Sequence, residues 1–392
     1  MKTLNRRNFL RLAGAGAAPL GLARLSRSLP PGAIQEETEA ARPRIRAYRP
    51  LGRTGLEISD IGFGGINYLS PEVALYAHEC GVNAFDTAEA YGQSERMLGQ
   101  ALKGVRDKVV ITTKHQLTTP ELTMTGAIIK RIEESLRRLQ TDFVDIAMLH
   151  AIDDPAALRR EEVLAAYDRL KRDGKVRFSG FSTHQPARTL PEAIEGGRFD
   201  VVLMAYNHLE SAAAEPLIAR ARDKGIGTIA MKVFAGGKQG SLKSLVSDRL
   251  KYAQAALRWV LGNPAVDGLI ATMSTFAHVE EYVEASGQPL QREDIGLLAR
   301  YREQAGPVYC RVSCDACRAA CPCGVAVNEI LRCAMYYVDY RMESHALKVY
   351  AGMEAGLKPL PCAACPGPCE AACPHGLEVR ERLLSAHALL AP

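Results

Sequence analysis

The chain has 392 residues, 47% of them hydrophobic, which exceeds one average domain and is ample for a large buried core. Its formal charge of +5 sits in the first 27 residues, where Lys2, Arg6, Arg7, Arg11, Arg24 and Arg27 stand with no acid; +5 less these six leaves −1 for the remainder. That balance excludes a global pull toward nucleic acid or anionic lipid.

The leader NRRNFLRLAGAGAAPLGLA runs from paired Arg6 and Arg7 through Phe9 and Leu10 into a short run rich in Gly and Ala, closing on Gly21-Leu22-Ala23. Over residues 1–27 this resembles a twin-arginine export signal, which implies the periplasm or cell envelope; a disordered basic tail is the alternative. The run is too short and Gly-rich to span a bilayer, and no later segment supplies about 20 apolar residues, so no stable membrane span is expected. Residues 28–46, with Pro30, Pro31 and Pro43 among charges, predict a linker.

From Ile58 to about Gly287 short apolar runs alternate with amphipathic ones. The strand candidates are SDIGFGG, NAFDTA, KVVITTK, VDIAMLH, VRFSGFS, DVVLMAYN, GTIAMKV and DGLIATM. Helical patterns such as SPEVALYAHECG, SERMLGQALKG, TGAIIKRIEESLRRLQ, EEVLAAYDRLKRDG, EPLIARARDKG and LKYAQAALRWVLGNP lie between them. Eight β-α units predict a (β/α)₈ TIM barrel over 47–300. The competing open, doubly wound sheet would carry a GxGxxG turn after its first strand, and none is present. Beyond Gln288 helical segments are broken by Cys-Pro pairs, predicting a small, mainly helical domain over 301–392.

Catalytic groups of such a barrel stand where strands end and loops begin. Asp86 follows NAF, Tyr91 lies five residues on, Lys114 ends KVVITTK and His150 ends VDIAMLH, so the four should converge on one face. Separately each has an ordinary explanation: a capping Asp, a loop Tyr, a solvated Lys, a hydrogen-bonded His. Together they have a chemical logic. Placing hydride on a carbonyl builds charge on oxygen, which calls for a proton donor and a fixed positive environment. Tyr91 would be the general acid/base, Lys114 an ammonium that lowers its pKa, Asp86 the partner that holds Lys114, and His150 the group that orients the carbonyl oxygen.

The stretches YRPLGRTGLEISDIGFGG, FDTAEAYGQSERMLGQAL, TTK at Thr112–Lys114, LH at Leu149–His150, GKVRFSGFS and ALRWVL resemble aldo-keto reductases over about residues 46–288. The resemblance implies a (β/α)₈ barrel binding NADPH or NADH, a carbonyl or alcohol substrate, and Asp86, Tyr91, Lys114 and His150 as the catalytic tetrad. Of the contacts such proteins make to the nicotinamide carboxamide only Ser182 carries over, since Thr183 and Leu203 stand where Asn and Gln usually fall. Met231 replaces the usual aromatic. The stretch ATMSTFAHVEEY after the eighth strand has no Lys or Arg to grip a 2′-phosphate, so Ser274 and Thr275 offer only neutral donors and the choice between NADPH and NADH stays open.

Ten of the eleven cysteines lie at or beyond Cys310, which concentrates them in the C-terminal domain. Cys310, Cys314, Cys317 and Cys321 precede Pro322; Cys362, Cys365, Cys369 and Cys373 precede Pro374. Disulfides suit an exported protein, and zinc suits C-x2-C pairs. Two [4Fe-4S] clusters fit best, because each motif closes with the Cys-Pro of bacterial ferredoxins, in which the fourth thiolate ligates the cluster built mainly on the other motif. The motifs resemble the dicluster tail of some aldo-keto reductases, with one extra residue in a gap of each, so Cys323 is a substitute for Cys310. Cys80 and Cys333 are expected as small buried residues, and YYVDY at Tyr336–Tyr340 as helix packing.

The joint expectation is an exported oxidoreductase coupled to two clusters as an electron relay, with a redox carrier as candidate partner and no nucleic acid. The alternative is an electron-transfer or partner-binding protein whose barrel has lost nicotinamide chemistry.

Overall fold

The computed structural model describes residues 42–66, 70–117, 119–210, 212–238, 240–246 and 248–391. The leader expected over 1–27, and residues 28–41 of the linker, lie outside the described residues. Strands β1 (Tyr48–Pro50) and β2 (Glu57–Ser59) form an antiparallel hairpin with Tyr48 opposite Ser59. Eight parallel strands then close a barrel: β3 (Ile61–Gly64), β4 (Ala84–Asp86), β5 (Val110–His115), β6 (Val144–Leu149), β7 (Val176–Thr183), β8 (Val201–Ala205), β9 (Gly227–Met231) and β10 (Gly268–Thr272), which returns to β3 with Thr272 beside Gly64. All eight strands stand where the apolar runs predict them.

Helices α1 (Pro71–Glu79), α2 (Ser94–Leu102), α3 (Thr125–Leu139), α4 (Glu161–Arg172), α5 (Pro186–Gly196), α6 (Glu215–Asp223), α7 (Arg249–Leu261) and α8 (Phe276–Val283) follow the barrel strands in turn. The reason is periodicity. On α3 the buried residues Ile128, Ile132, Ser135, Leu136 and Leu139 recur every three or four positions and make one apolar stripe. The strands are buried on both faces, as a parallel sheet beneath helices must be. In β6, Ala147 and Leu149 face the helices while Ile146 and Met148 face the barrel interior, the period of two that a pleated strand imposes. Leu51, Leu56 and Ile58 of the hairpin join that interior cluster and plug the barrel end opposite the loops.

Beyond the barrel come α9 (Arg292–Ala305), α10 (Ala316–Ala319), α11 (Val327–Val338), α12 (Glu343–Ala351), α13 (Pro368–Ala371) and α14 (Val379–Leu390). The boundary expected at 300 lies within α9, whose Leu298, Tyr301 and Ala305 share a cluster with Tyr252 and Ala256 of α7. Ile330, Cys333, Tyr350, Leu383 and Leu390 give α11, α12 and α14 a core of their own. Both parts belong to one compact unit over 42–392. Among the described residues no helix is long and apolar enough to cross a membrane.

Candidate active site

The ends of β4, β5 and β6 bring Asp86, Lys114 and His150 together, and the loop after β4 adds Tyr91; all four line one cavity of about 100 Å³ at the barrel mouth. Lys114 Nζ donates to Asp86 Oδ2 at 2.7 Å and to the Thr87 carbonyl at 2.7 Å. Burial pushes both partners toward their neutral forms, Asp86 up and Lys114 down, and their mutual attraction opposes it. Tyr91 Oη lies 3.5 Å from His150 Nε2, with the two rings edge to face.

Lys114 stands over the Tyr91 ring, 4.9 Å from its centre, and hydrogen-bonds Asp86 and Thr87 rather than the phenol oxygen. The lowered phenol expected from an adjacent ammonium is therefore not found. Burial, then the charges of Asp86 and Tyr336, hold Tyr91 well above its ordinary value, so the resting phenol is protonated. Burial and the Lys114 charge push His150 well below the usual range, and it is neutral. Asp86 Oδ1 and His150 Nδ1, buried atoms of two cavity-lining residues, have no hydrogen-bond partner. The site thus offers polar capacity to a ligand.

Ser182 lines the same cavity, and its Oγ accepts from Ala151 N at 2.8 Å, leaving its own hydroxyl proton to donate. Ser274 and Thr275 fall outside the cavity lining; the Thr275 hydroxyl caps α8 by accepting from His278 N at 3.1 Å. Leu203 belongs to the apolar barrel interior, in keeping with its departure from Gln.

The sequence reading missed residues from two sources. Lys232 follows β9 directly, the same strand-end position that singled out Lys114, so the signal was available. Tyr336 of α11, Tyr340 in the turn after it and His345 of α12 also line the cavity, although YYVDY was expected to serve helix packing. Tyr336 Oη lies 3.4 Å from His184 Nε2 and accepts from Lys232 Nζ at 3.4 Å. No linear pattern links residue 336 to 184. Lys232 (φ 60°) and Ala151 (φ 57°) adopt the left-handed backbone at strand ends, a conformation that costs non-glycine residues on the order of 1 kcal/mol and concentrates at functional sites.

All eleven cysteines are free thiols. Among the described residues no group of three or more His, Cys, Asp or Glu is drawn together to hold a single metal ion. The motif thiols nevertheless act on one another across the two motifs. Burial, reinforced by the charges of Cys317, Cys314, Glu210 and Cys373, pushes Cys310 up to about 12. Burial, reinforced by Cys321, Cys369, Cys365 and Cys323, pushes Cys362 up to about 11. Each Cys-Pro cysteine therefore exerts its charge on thiols of the other motif, Cys373 on Cys310 and Cys317, and Cys321 on Cys362 and Cys369. Cys323 is exposed, and its charge contributes to raising Cys362. Cys80 and Cys333 are buried, as expected.

Residues 69–245 match the model of the aldo/keto reductase family. The chain is 30% identical over 283 residues to L-galactose dehydrogenase of Arabidopsis thaliana, covering 60% of this chain and 87% of that protein. It is 28% identical over 235 residues to the NADH-specific methylglyoxal reductase of Escherichia coli K12, covering 50% of this chain and 69% of the relative. The holo form of aldo-keto reductase AKR11C1 from Bacillus halodurans superimposes with a TM-score of 0.55 at 26% identity, over 65% of this chain and 95% of that one. With a closed eight-stranded barrel and the Asp86–Lys114–Tyr91–His150 group at its mouth, the chain belongs to the aldo/keto reductase family and is an oxidoreductase.

Proposed function

We propose that the protein interconverts a small carbonyl compound and its alcohol, with Tyr91 as general acid/base, and that its C-terminal cysteines hold two [4Fe-4S] clusters in electronic contact with the barrel. The observation that carries the first part is the buried Lys114–Asp86 pair beside a protonated Tyr91. The family uses NAD(P)H, and a reduced nicotinamide bound at the strand ends would supply the hydride. Ser182 and the unpartnered atoms of Asp86 and His150 provide polar capacity beside it. Neutral His150 and the Tyr91 hydroxyl hold the carbonyl oxygen between them. As charge grows on that oxygen the Tyr91 proton moves to it, and the Lys114 ammonium over the ring stabilises the phenolate left behind. In the oxidative direction Tyr91 takes the proton back.

The second part is supported by the charges of Cys321 and Cys373, each of which acts on thiols of the opposite motif. A cuboidal cluster binds four thiolates on four different irons, so the quartet need not converge on one point as a zinc site must. The quartets would be Cys310, Cys314, Cys317 with Cys373, and Cys362, Cys365, Cys369 with Cys321. A twin-arginine route for the leader suits this reading, since a protein that folds around its cofactors before export would leave the cytoplasm loaded. Anaerobic titration of cluster-reconstituted full-length protein with NADH and NADPH tests the coupling. Bleaching of the broad visible absorbance is expected; unbleached clusters with nucleotide bound would separate the two centres.

A further inference from the structure

Among the described residues, Lys232 lines the barrel mouth as a cation with no carboxylate in an ion pair with it. Lys114 faces Asp86, Lys238 faces Glu281, Arg258 faces Asp294 and Arg332 faces Asp153, each within 3.2 Å. Lys232 forms no such pair. Its ammonium sits over the rings of Tyr336 and Tyr340, 4.7 and 4.8 Å from their centres, and donates one long hydrogen bond to Tyr336 Oη at 3.4 Å. Two phenol faces hold an ammonium in place without cancelling its charge, and a third ligand of opposite sign would gain most from such a desolvated position.

Its surroundings are fixed and otherwise satisfied. The left-handed Lys232 backbone is held by Asn207 Nδ2, which donates to the Lys232 carbonyl at 3.2 Å. Glu210, the acid whose charge Lys232 feels, is engaged by Ser313 N at 2.7 Å and by the Ser313 hydroxyl. Arg332 is committed to Asp153. Burial keeps His184 at about 4 and lowers His345, so both are neutral. Among the described residues lining this confined, partly aromatic pocket, the single cation without a carboxylate partner matches a monoanion better than a phosphate dianion.

We propose that Lys232, framed by Tyr336 of α11 and by Tyr340 in the turn after it, anchors the carboxylate of the substrate, so that the carbonyl or alcohol compound acted on at Tyr91 is a small acid. This rests on the reading of the barrel as a carbonyl/alcohol site. It also makes the C-terminal domain part of substrate recognition, because two of the three groups in the anchor come from α11 and the turn that follows it.

The test is calorimetric and needs no turnover. Full-length protein, with and without NADH, is titrated with glycolate, oxamate and succinate, and with oxamide as the neutral counterpart of oxamate. At least one carboxylate is expected to bind the wild type, with Lys232→Met weakening it tenfold or more, Lys232→Arg restoring most of the affinity, and oxamide unchanged. Equal losses for oxamate and oxamide, binding that ignores Lys232, or a wild type that takes none of the three acids would each overturn the proposal. A Lys232→Met chain that loses NADH affinity but keeps the carboxylate would assign the lysine to a dinucleotide phosphate and overturn it too. Lys232-dependent carboxylate binding in a protein that reduces no carbonyl would leave the anchor standing and remove the reductase reading.

Discussion

Arg332 of α11 and Asp153 of the loop after β6 form an ion pair at 3.2 Å with both side chains about nine-tenths buried, fastening the C-terminal helices over the barrel mouth. Asp153 also accepts from His184 N at 2.7 Å, and Arg332 holds its carboxyl well below the usual carboxylate range against the effect of burial. A depressed folded-state pKa gives a stabilisation that is complete at neutral pH and disappears only as the pH falls through that lowered value. Arg332→Met leaves Asp153 buried and unpaired, and is expected to cost about 3–5 kcal/mol in denaturant unfolding. A Arg332→Met protein as stable as wild type would show that the clasp contributes nothing to docking.

Tyr91→Phe removes the proton donor and keeps the ring that Lys114 and His150 contact. Turnover should fall roughly 10²–10⁴-fold with the unfolding midpoint unchanged. Lys114→Met differs in kind: it abolishes turnover and also destabilises by about 3–5 kcal/mol, because Asp86 loses its buried partner. Steady-state rates and urea unfolding on the same preparations separate the two. Activity that survives Tyr91→Phe would sink the assigned chemistry.

Cys321→Ser and Cys373→Ser should each lose the cluster of the other motif, lowering bound iron by roughly half. Cys323→Ser should leave iron unchanged, since its thiol is exposed. Iron analysis with low-temperature EPR of the reduced variants reads this directly. Equal loss in Cys323→Ser and Cys310→Ser would mean that the exposed thiol takes the Cys310 place.

Lys238 meets Glu281 of α8 at 2.6 Å, with both side chains about one-tenth exposed, so the lysine nearest the segment after the eighth strand is already neutralised. NADH should therefore bind at least as tightly as NADPH, and Glu281→Gln should improve NADPH by about tenfold while leaving NADH alone, a shift worth about 1.4 kcal/mol. Fluorescence titration with both nucleotides measures it; strong NADPH preference in the wild type would contradict the reading.

Burial, with Arg332 adding to it and Glu210 opposing, lowers the Lys232 ammonium to about 7. Below that value the lysine is a cation; above it the charge is lost. The KM for an acidic substrate should accordingly rise about tenfold per pH unit above 7, while a neutral carbonyl substrate shows no such limb. Facing Lys232 are Arg332 and Tyr336 of α11, Tyr340 in the turn after it, His345 of α12, His184 and Glu210. Of these, His184 and His345 are neutral already and the two phenols titrate far higher, so the limb belongs to Lys232. Matching pH profiles for the acidic and neutral substrates would remove that assignment.

The eight strands and the converging ends of β4, β5 and β6 were legible in the sequence because both follow from local periodicity. A buried parallel strand must be apolar, and its last residue must emerge at the mouth. Asp86, Lys114 and His150 were therefore found by position alone, as Lys232 could have been. The state of Tyr91 was not legible, because the direction of its shift depends on where the Lys114 ammonium lies relative to ring and oxygen, a difference of a few ångströms that no spacing encodes. Likewise the cysteine motifs identified themselves by spacing, whereas the neighbourhoods of Cys321 and Cys373 depend on how two distant turns face one another.

What the sequence determined is thus the set of groups that repeat a local rule: barrel strands, tetrad and thiol motifs. Only the tertiary structure decided that Tyr336, Tyr340 and Arg332 reach the mouth and frame Lys232. The helix that carries Arg332 and Tyr336 is more than a hundred residues along the chain from His184 and Asp153, and its docking is set by burial and the Arg332–Asp153 ion pair rather than by any pattern along the chain.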